Sequence, residues 1–302
     1  MKNNFIKNGF LHPKFIPTWF ILAIMHLLVF VPFRLQVILS RPIGIFLRLV
    51  AFKKHQIAQI NINKCFPDLN KKEQKKIVNQ HFTDFAMSLF EVANCFYMNP
   101  KRLKKLYKLK NLDLLQKHIK NKENIILVVG HFTTMIIAGR ILADNIYFAD
   151  IYRPQNNKLF NFVMVKRFEK YGIKMIEAKN SREIIKTLKS NIPIWYAPDQ
   201  DFRIKTSVFA DFFKIKTDTI TATSKLAKSS NAKVIHFSFY RHKAGYNGDF
   251  IEIKNYPSYD DLKDANLINK HLEAQIAKAK SQYLWTHKRF KTRPNGEKSF
   301  YN

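Results

Sequence analysis

Only two of the 302 residues are cysteine, Cys65 and Cys95. Their spacing suits no metal site and gives no disulfide framework, so they read as small buried hydrophobes. Acidic residues are also scarce, 22 Asp plus Glu against 52 Lys plus Arg, for a formal net charge of +30. Such an imbalance implies an anionic partner or a solvated basic surface. The anionic candidates are a phospholipid surface, an acidic carrier protein, a phosphorylated glycolipid and nucleic acid. Nucleic acid is the weakest of these. No zinc-finger, helix-turn-helix or RNA-binding signature occurs, and the 27 phenylalanines are spread along the chain instead of forming a stacking platform beside basic clusters. The histidines do not cluster as ligands, so neither a metal nor another cofactor is expected. There is also no low-complexity linker and no internal repeat. The length suits one sizeable α/β domain with an appendage.

What the chain does have begins with an apolar run over residues 15–33, interrupted by Pro17, Thr18, His26 and Pro32. At about 1.5 Å per residue, a helix of that length just crosses a hydrocarbon core of roughly 30 Å. No small-residue cleavage site follows it, so a removable signal peptide is not expected. Lys2, Lys7 and Lys14 precede the run and Arg34 and Arg41 follow it, which leaves its orientation open. The expectation is a membrane-anchor helix within residues 1–40, then an α/β domain over 41–302. Residues 42–62 have helical periodicity. Asn70 and Glu73 have capping-box spacing, and Ile77, Phe82, Phe85, Leu89 and Val92 behind them form an expected buried stripe.

Short apolar runs then alternate with helical stretches. Strands are expected at 125–129, 147–152, 192–197, 233–240 and 250–253. Helices are expected at 133–143, 159–171, 181–189, 220–229 and 266–285. This alternation predicts an α/β fold, a mostly parallel sheet flanked by helices. Gly130 and His131 fall at a strand-to-helix turn, where open α/β sheets place their chemistry. A histidine there, with an ordinary pKa of about 6.5, is a candidate general base; the alternative from position alone is a histidine that only hydrogen-bonds the turn. Arg153, Asp199 and Asp201 also follow expected strands, so they belong on the same sheet edge as His131.

Several motifs occur in order from residue 11 to 294. They are Leu11-His12-Pro13 with Thr18-Trp19, Asn63-Lys64-Cys65-Phe66-Pro67, Gly130-His131-Phe132 and Tyr152-Arg153-Pro154. Then come Trp195-Tyr196-Ala197-Pro198-Asp199-Gln200-Asp201, Ser207-Val208-Phe209, and Trp285-Thr286-His287-Lys288-Arg289-Phe290-Lys291-Thr292-Arg293-Pro294. As an ordered set they resemble the late acyltransferases of lipid A biosynthesis, the lauroyl/myristoyl transferases of the lysophospholipid acyltransferase-like group. The resemblance implies a membrane-associated enzyme at the cytoplasmic face of an inner membrane. It would move a fatty acyl chain from acyl carrier protein to a hydroxyl of a lipid A precursor, in lipopolysaccharide biosynthesis. It makes His131 the base and assigns phosphate binding to Arg153 or, with one residue of offset, Arg167. Asp199 and Asp201 complete the candidate substrate-binding set by orienting Arg153 or capping a turn.

One position departs from the family pattern. The motif places an acid five positions beyond the histidine, and the residue here is Ile136. Without a carboxylate to fix its tautomer, the imidazole is a poorer base. The alternative is therefore a weakly active or non-catalytic lipid-binding relative, unless Asp199 or Asp201 reaches His131. Residues 285–294 either press aromatic and basic side chains against headgroups or complete the core with Trp285 and Phe290. The Lys- and Arg-rich stretch 101–110 is either a carrier or lipid contact or a solvated face.

Overall fold

The computed structural model describes residues 8–202 and 206–301; Lys2 and Lys7 lie outside them. A 3-10 turn at Pro13–Phe15 leads into α1 (Ile16–Leu28), α2 (Phe33–Val50), α3 (Phe52–Cys65) and α4 (Lys71–Tyr97). The single anchor helix expected over 15–33 does not form. Pro32 sits at the N-cap of α2, and the chain breaks between the two helices. The 13 residues of α1 reach only about 20 Å at the α-helical rise. Among the described residues no single helix is long and apolar enough to cross a membrane; α2 and α3 meet that test only as a pair bent by 99°. The same break, at Ala51, divides the helix expected over 42–62.

These helices pack on α4. Leu22 and Met25 of α1 are buried, whereas Ile16, Phe20 and Leu27 remain 63–67% exposed. Gly44 lets α2 approach closely, since a Cβ there would lie 2.7 Å from the Thr83 backbone of α4. Residue 40 lies in the middle of α2. The start of α4 is capped as expected: Glu73 N donates to Asn70 Oδ1 at 3.0 Å, and Asn70 N donates to Glu73 Oε2 at 2.9 Å. The buried stripe on α4 lies largely one position on from the expected one, at Val78, Phe82, Ala86, Phe90 and Ala93, and Leu89 is 47% exposed. The shift is tied to buried acids. Asp84 and Glu91 turn inward to hold the Arg241 guanidinium at 2.8 and 2.5 Å.

The remainder alternates strand and helix: α5 (Pro100–Lys104), β1 (Tyr107–Lys110), α6 (Leu112–Lys120), β2 (Ile125–Val128), α7 (Met135–Ala143), β3 (Phe148–Tyr152) and α8 (Lys158–Lys170). Then come β4 (Ile173–Glu177), α9 (Ser181–Lys189), β5 (Ile194–Tyr196), β6 (Ser207–Phe212), β7 (Ile215–Ile220), α10 (Ala222–Ser230), β8 (Lys233–His242), β9 (Gly245–Glu252) and α11 (Asp261–Lys278). The main sheet has the order β1-β9-β8-β2-β5-β3-β4. Strands β8, β2, β5, β3 and β4 are mutually parallel, and β9 turns back antiparallel to β8. The expected α/β fold with a mostly parallel sheet is therefore present. The β6–β7 hairpin is separate.

The composition of β2 explains its place. Ile125 and Leu127 enter one core layer, and Ile126 and Val128 enter the other. A strand covered on both faces has no polar side, so it reads as an unbroken apolar run. The first layer includes α1, α4, α7 and α8; the second includes α3, α9, α10, α11 and the C-terminal segment. Cys95 is buried in the first and Cys65 in the second.

Candidate active site

The carboxyl ends of β2, β5 and β3 lie side by side, and residues just beyond them converge. Gly130 closes the turn after β2, where an added Cβ would sit 2.8 Å from the Phe132 ring and 3.0 Å from Leu272. The C-terminal segment holds this turn from below. Leu284 N donates to His131 O at 2.9 Å, and Thr133 N donates to Gln282 O at 2.8 Å. Trp285 and Phe290 are fully buried, so this stretch completes the core as one of the two expectations had it.

His131 has a carboxylate partner. Asp199, just past β5, accepts from the His131 backbone N–H at 2.8 Å and lies 2.5 Å from Nδ1. With Nδ1–H donating to Asp199, Nε2 is left as the basic nitrogen. A carboxylate 68 residues further along the chain thus contacts His131, although the motif's acidic position is Ile136. Burial pushes the Asp199 carboxyl up, but the charge and two hydrogen bonds of His131, with the nearby Arg289 guanidinium, hold it below the usual carboxylate range. Arg289 is itself fixed by the Asp218 carbonyl at 2.7 Å and Thr219 Oγ1 at 3.1 Å. For His131, burial lowers the pKa, but the Asp199 charge and hydrogen bond and the Asp150 charge outweigh it, so the net shift is upward against the opposing Arg153.

His131 opens onto a cleft of about 760 Å³, within the usual range for small-molecule sites. Its apolar wall is formed by Met135, Met164, Phe168, Met175, Ile184 and Trp195. Arg153 lines the same cleft, its guanidinium 5.0 Å from the centre of the Phe202 ring. Asp199 faces His131 instead of Arg153. Asp201 is turned to the C-terminal segment, accepting from Thr292 N at 2.5 Å and Thr292 Oγ1 at 2.9 Å. Arg167 sits over the Tyr97 ring at 4.7 Å, outside the cleft lining. Of the five sequence-derived residues, the fold therefore gathers His131, Asp199 and Arg153 at the cleft.

Two groups escaped the sequence reading. Burial pushes His287 down to about 4 beside Asp199 and His131. Asp150, on β3, lines the cleft with its carboxyl pushed up to about 7 by burial, partly offset by the His131 charge. The available signal for Asp150 was an acid inside the apolar run Phe148-Ala149-Asp150-Ile151-Tyr152.

A histidine–carboxylate pair beside a largely apolar cleft suits proton removal from a hydroxyl next to a hydrocarbon chain. Comparison with known proteins agrees. Residues 5–292 match the model of the bacterial lipid A biosynthesis acyltransferase family. The chain is 34% identical to the lipid A biosynthesis palmitoleoyltransferase of Escherichia coli strain K12, over 97% of this chain and 96% of that protein. It is 32% identical to a lipid A biosynthesis acyltransferase of Haemophilus influenzae, over 95% and 94%. It is 29% identical to the lipid A biosynthesis lauroyltransferase of E. coli K12, over 96% of each chain. With the fold, the site and this coverage together, the chain belongs to the bacterial lipid A biosynthesis acyltransferase family and is an acyltransferase.

Proposed function

We propose that this enzyme moves a fatty acyl chain from the thioester of acyl carrier protein to a hydroxyl of a lipid A precursor, with His131 as general base. The observation that carries this reading is the buried Asp199 carboxylate, both oxygens on His131, at the mouth of an apolar cleft. In this mechanism the acyl chain lies along Met135, Met164, Phe168 and Trp195. His131 Nε2 takes the acceptor hydroxyl proton while the oxygen attacks the thioester carbon. The C–S bond then breaks, and the proton passes from His131 to the leaving thiolate. Asp199 fixes the tautomer and stabilises the imidazolium. Arg153, at the rim, binds phosphate on either substrate. Arg167 and Asp201 are assigned structural contacts, to Tyr97 and Thr292.

Membrane association is part of the same proposal, through helices lying in the interface and not through a span. Ile16, Phe20 and Leu27 of α1, with Ile38, Ile45, Phe46 and Leu49 of α2, form the exposed apolar surface. Arg34, Arg41 and Arg48 recur every seven residues along α2 beside it, a basic row of the kind that holds an in-plane helix to anionic headgroups. The cytoplasmic face of an inner membrane fits an enzyme using carrier-bound acyl groups, and the +30 charge suits both an acidic carrier and that surface.

The test is acyl transfer from acyl carrier protein to a lipid A precursor by the purified protein and by His131→Ala. General acid–base catalysis contributes about 10²–10⁴-fold, and a loss of that order is expected. Equal rates for the two proteins remove His131 from the mechanism. The alternative of a weakly active or non-catalytic lipid-binding relative rested on Ile136 leaving the base without an acid, and the contact between Asp199 and His131 argues against it.

A further inference from the structure

Asp150, partly buried where it lines the cleft, carries no hydrogen bond or ion pair to any described residue. It pairs in register with Met175 of β4 and Trp195 of β5. Alternation along β3 sends Phe148 into the first core layer and Ala149 into the second, so Asp150 points toward the first, under α7. Around it, Met135, Ile136, Gly139, Phe148, Phe168, Ile173 and Trp195 close a small apolar hollow of about 40 Å³ continuous with the cleft. A lone carboxyl among such groups is costly and gives the fold nothing it needs. His131 lines the same cleft and is the group whose charge acts on Asp150.

We propose that Asp150 is the second carboxylate of this site, stabilising the imidazolium that His131 becomes as it takes the acceptor proton. This rests on the reading of His131 as the base. Ile136 borders both the cleft and the hollow, so Asp150 delivers from β3 a charge to the space where a side chain at position 136 could have placed one. The attraction grows as positive charge develops on the imidazole, so it favours the transition state over the resting enzyme. With its carboxyl near neutrality in proton affinity, Asp150 is ionised most readily when His131 is protonated. The groups acting on His131 are Asp199, Asp150, Arg153 and His287. Those packed on Asp150 from α7, α8, β4 and β5 are uncharged.

The experiment compares the native full-length chain with Asp150→Asn, Ile136→Glu and the double variant Asp150→Asn/Ile136→Glu. It measures acyl-transfer kcat and KM across pH, thermal melting, and the titration of His131 by NMR. For Asp150→Asn we expect kcat to fall by about tenfold or more, within the range of acid–base contributions, with KM little changed. Removing the negative charge lowers proton affinity at His131, so its titration and the acid limb of kcat/KM move to lower pH. Melting should hold or rise, because a partly buried carboxyl set among apolar side chains is gone. The double variant should recover most of the lost kcat. A native kcat and an unshifted His131 titration in folded Asp150→Asn overturn the proposal, as does a folded double variant no faster than Asp150→Asn. Should His131→Ala be as active as the native chain, the base reading fails separately, and the NMR titration alone then decides whether the two side chains are coupled.

Discussion

At the scale of single residues, the site is governed by who shares protons with His131. Its net upward shift means that it must lose a proton before acting as a base. Activity should therefore rise with pH through a midpoint above the ordinary histidine value of about 6.5. A kcat/KM profile with its acid limb below that value contradicts the assignment. Another histidine is expected to contribute to acid sensitivity. His236 on β8 is pushed down to about 3, first by burial and then by the charges of His271 and Lys278. Between that value and about 6.5 the unfolded chain binds a proton that the folded chain does not, so stability falls as pH drops through this window. The slope for this one group is at most about 1.4 kcal/mol per pH unit. Urea unfolding at pH 7 and pH 5 should show a smaller loss for His236→Leu than for the native chain; an equal loss excludes His236 as the cause. His131 could be read from sequence because an apolar strand and a helix flank it. Its partner Asp199 could not be paired with it across 68 residues. Asp150 stayed hidden because its pairing with Trp195 of β5, 45 residues on, and its place in the same cleft as His131 come only from the folded sheet.

At the scale of elements, legibility followed burial. Strands β2, β3 and β5 are apolar runs because parallel strands covered on both faces have no polar side, and α9 falls on the expected residues. The β6–β7 hairpin was missed. Its turn places Phe213 and Lys214 at φ 51° and 62° without the glycine or asparagine that usually marks such a turn. Tertiary contacts hold it instead, with Phe213 N donating to Glu273 Oε1 at 2.7 Å and its ring packed on Phe66 and Trp285. Helix α4 offers a direct check on buried charge. Arg241→Leu leaves Asp84 and Glu91 buried without their cation, and breaking such a set is expected to cost about 3–5 kcal/mol in denaturant unfolding. A loss under about 1 kcal/mol would show that the two acids are neutral or hydrated in the folded protein.

At the scale of the whole molecule, an excess of positive charge and an exposed apolar surface occur together, and each has a separable effect. The charge was legible from composition. The surface was not, because residues 15–33 read as one helix until Pro32 divides them and α4 covers one side of α1. Placing negative charge on the apolar surface, Phe20→Asp with Leu27→Asp, should weaken binding to anionic vesicles by about 10²-fold or more, the scale of losing two buried apolar side chains. Binding by the native chain should also fall as salt rises. Unchanged vesicle binding by the double variant would place the membrane contact elsewhere on the molecule.

The central claim is that Asp199 makes His131 a working base. Its most direct measurement is the single-turnover rate of acyl transfer by folded Asp199→Asn against the native chain. The expected result is a rate lower by about 10² or more, in line with the loss of an oriented acid–base group. A rate within a few-fold of native contradicts it.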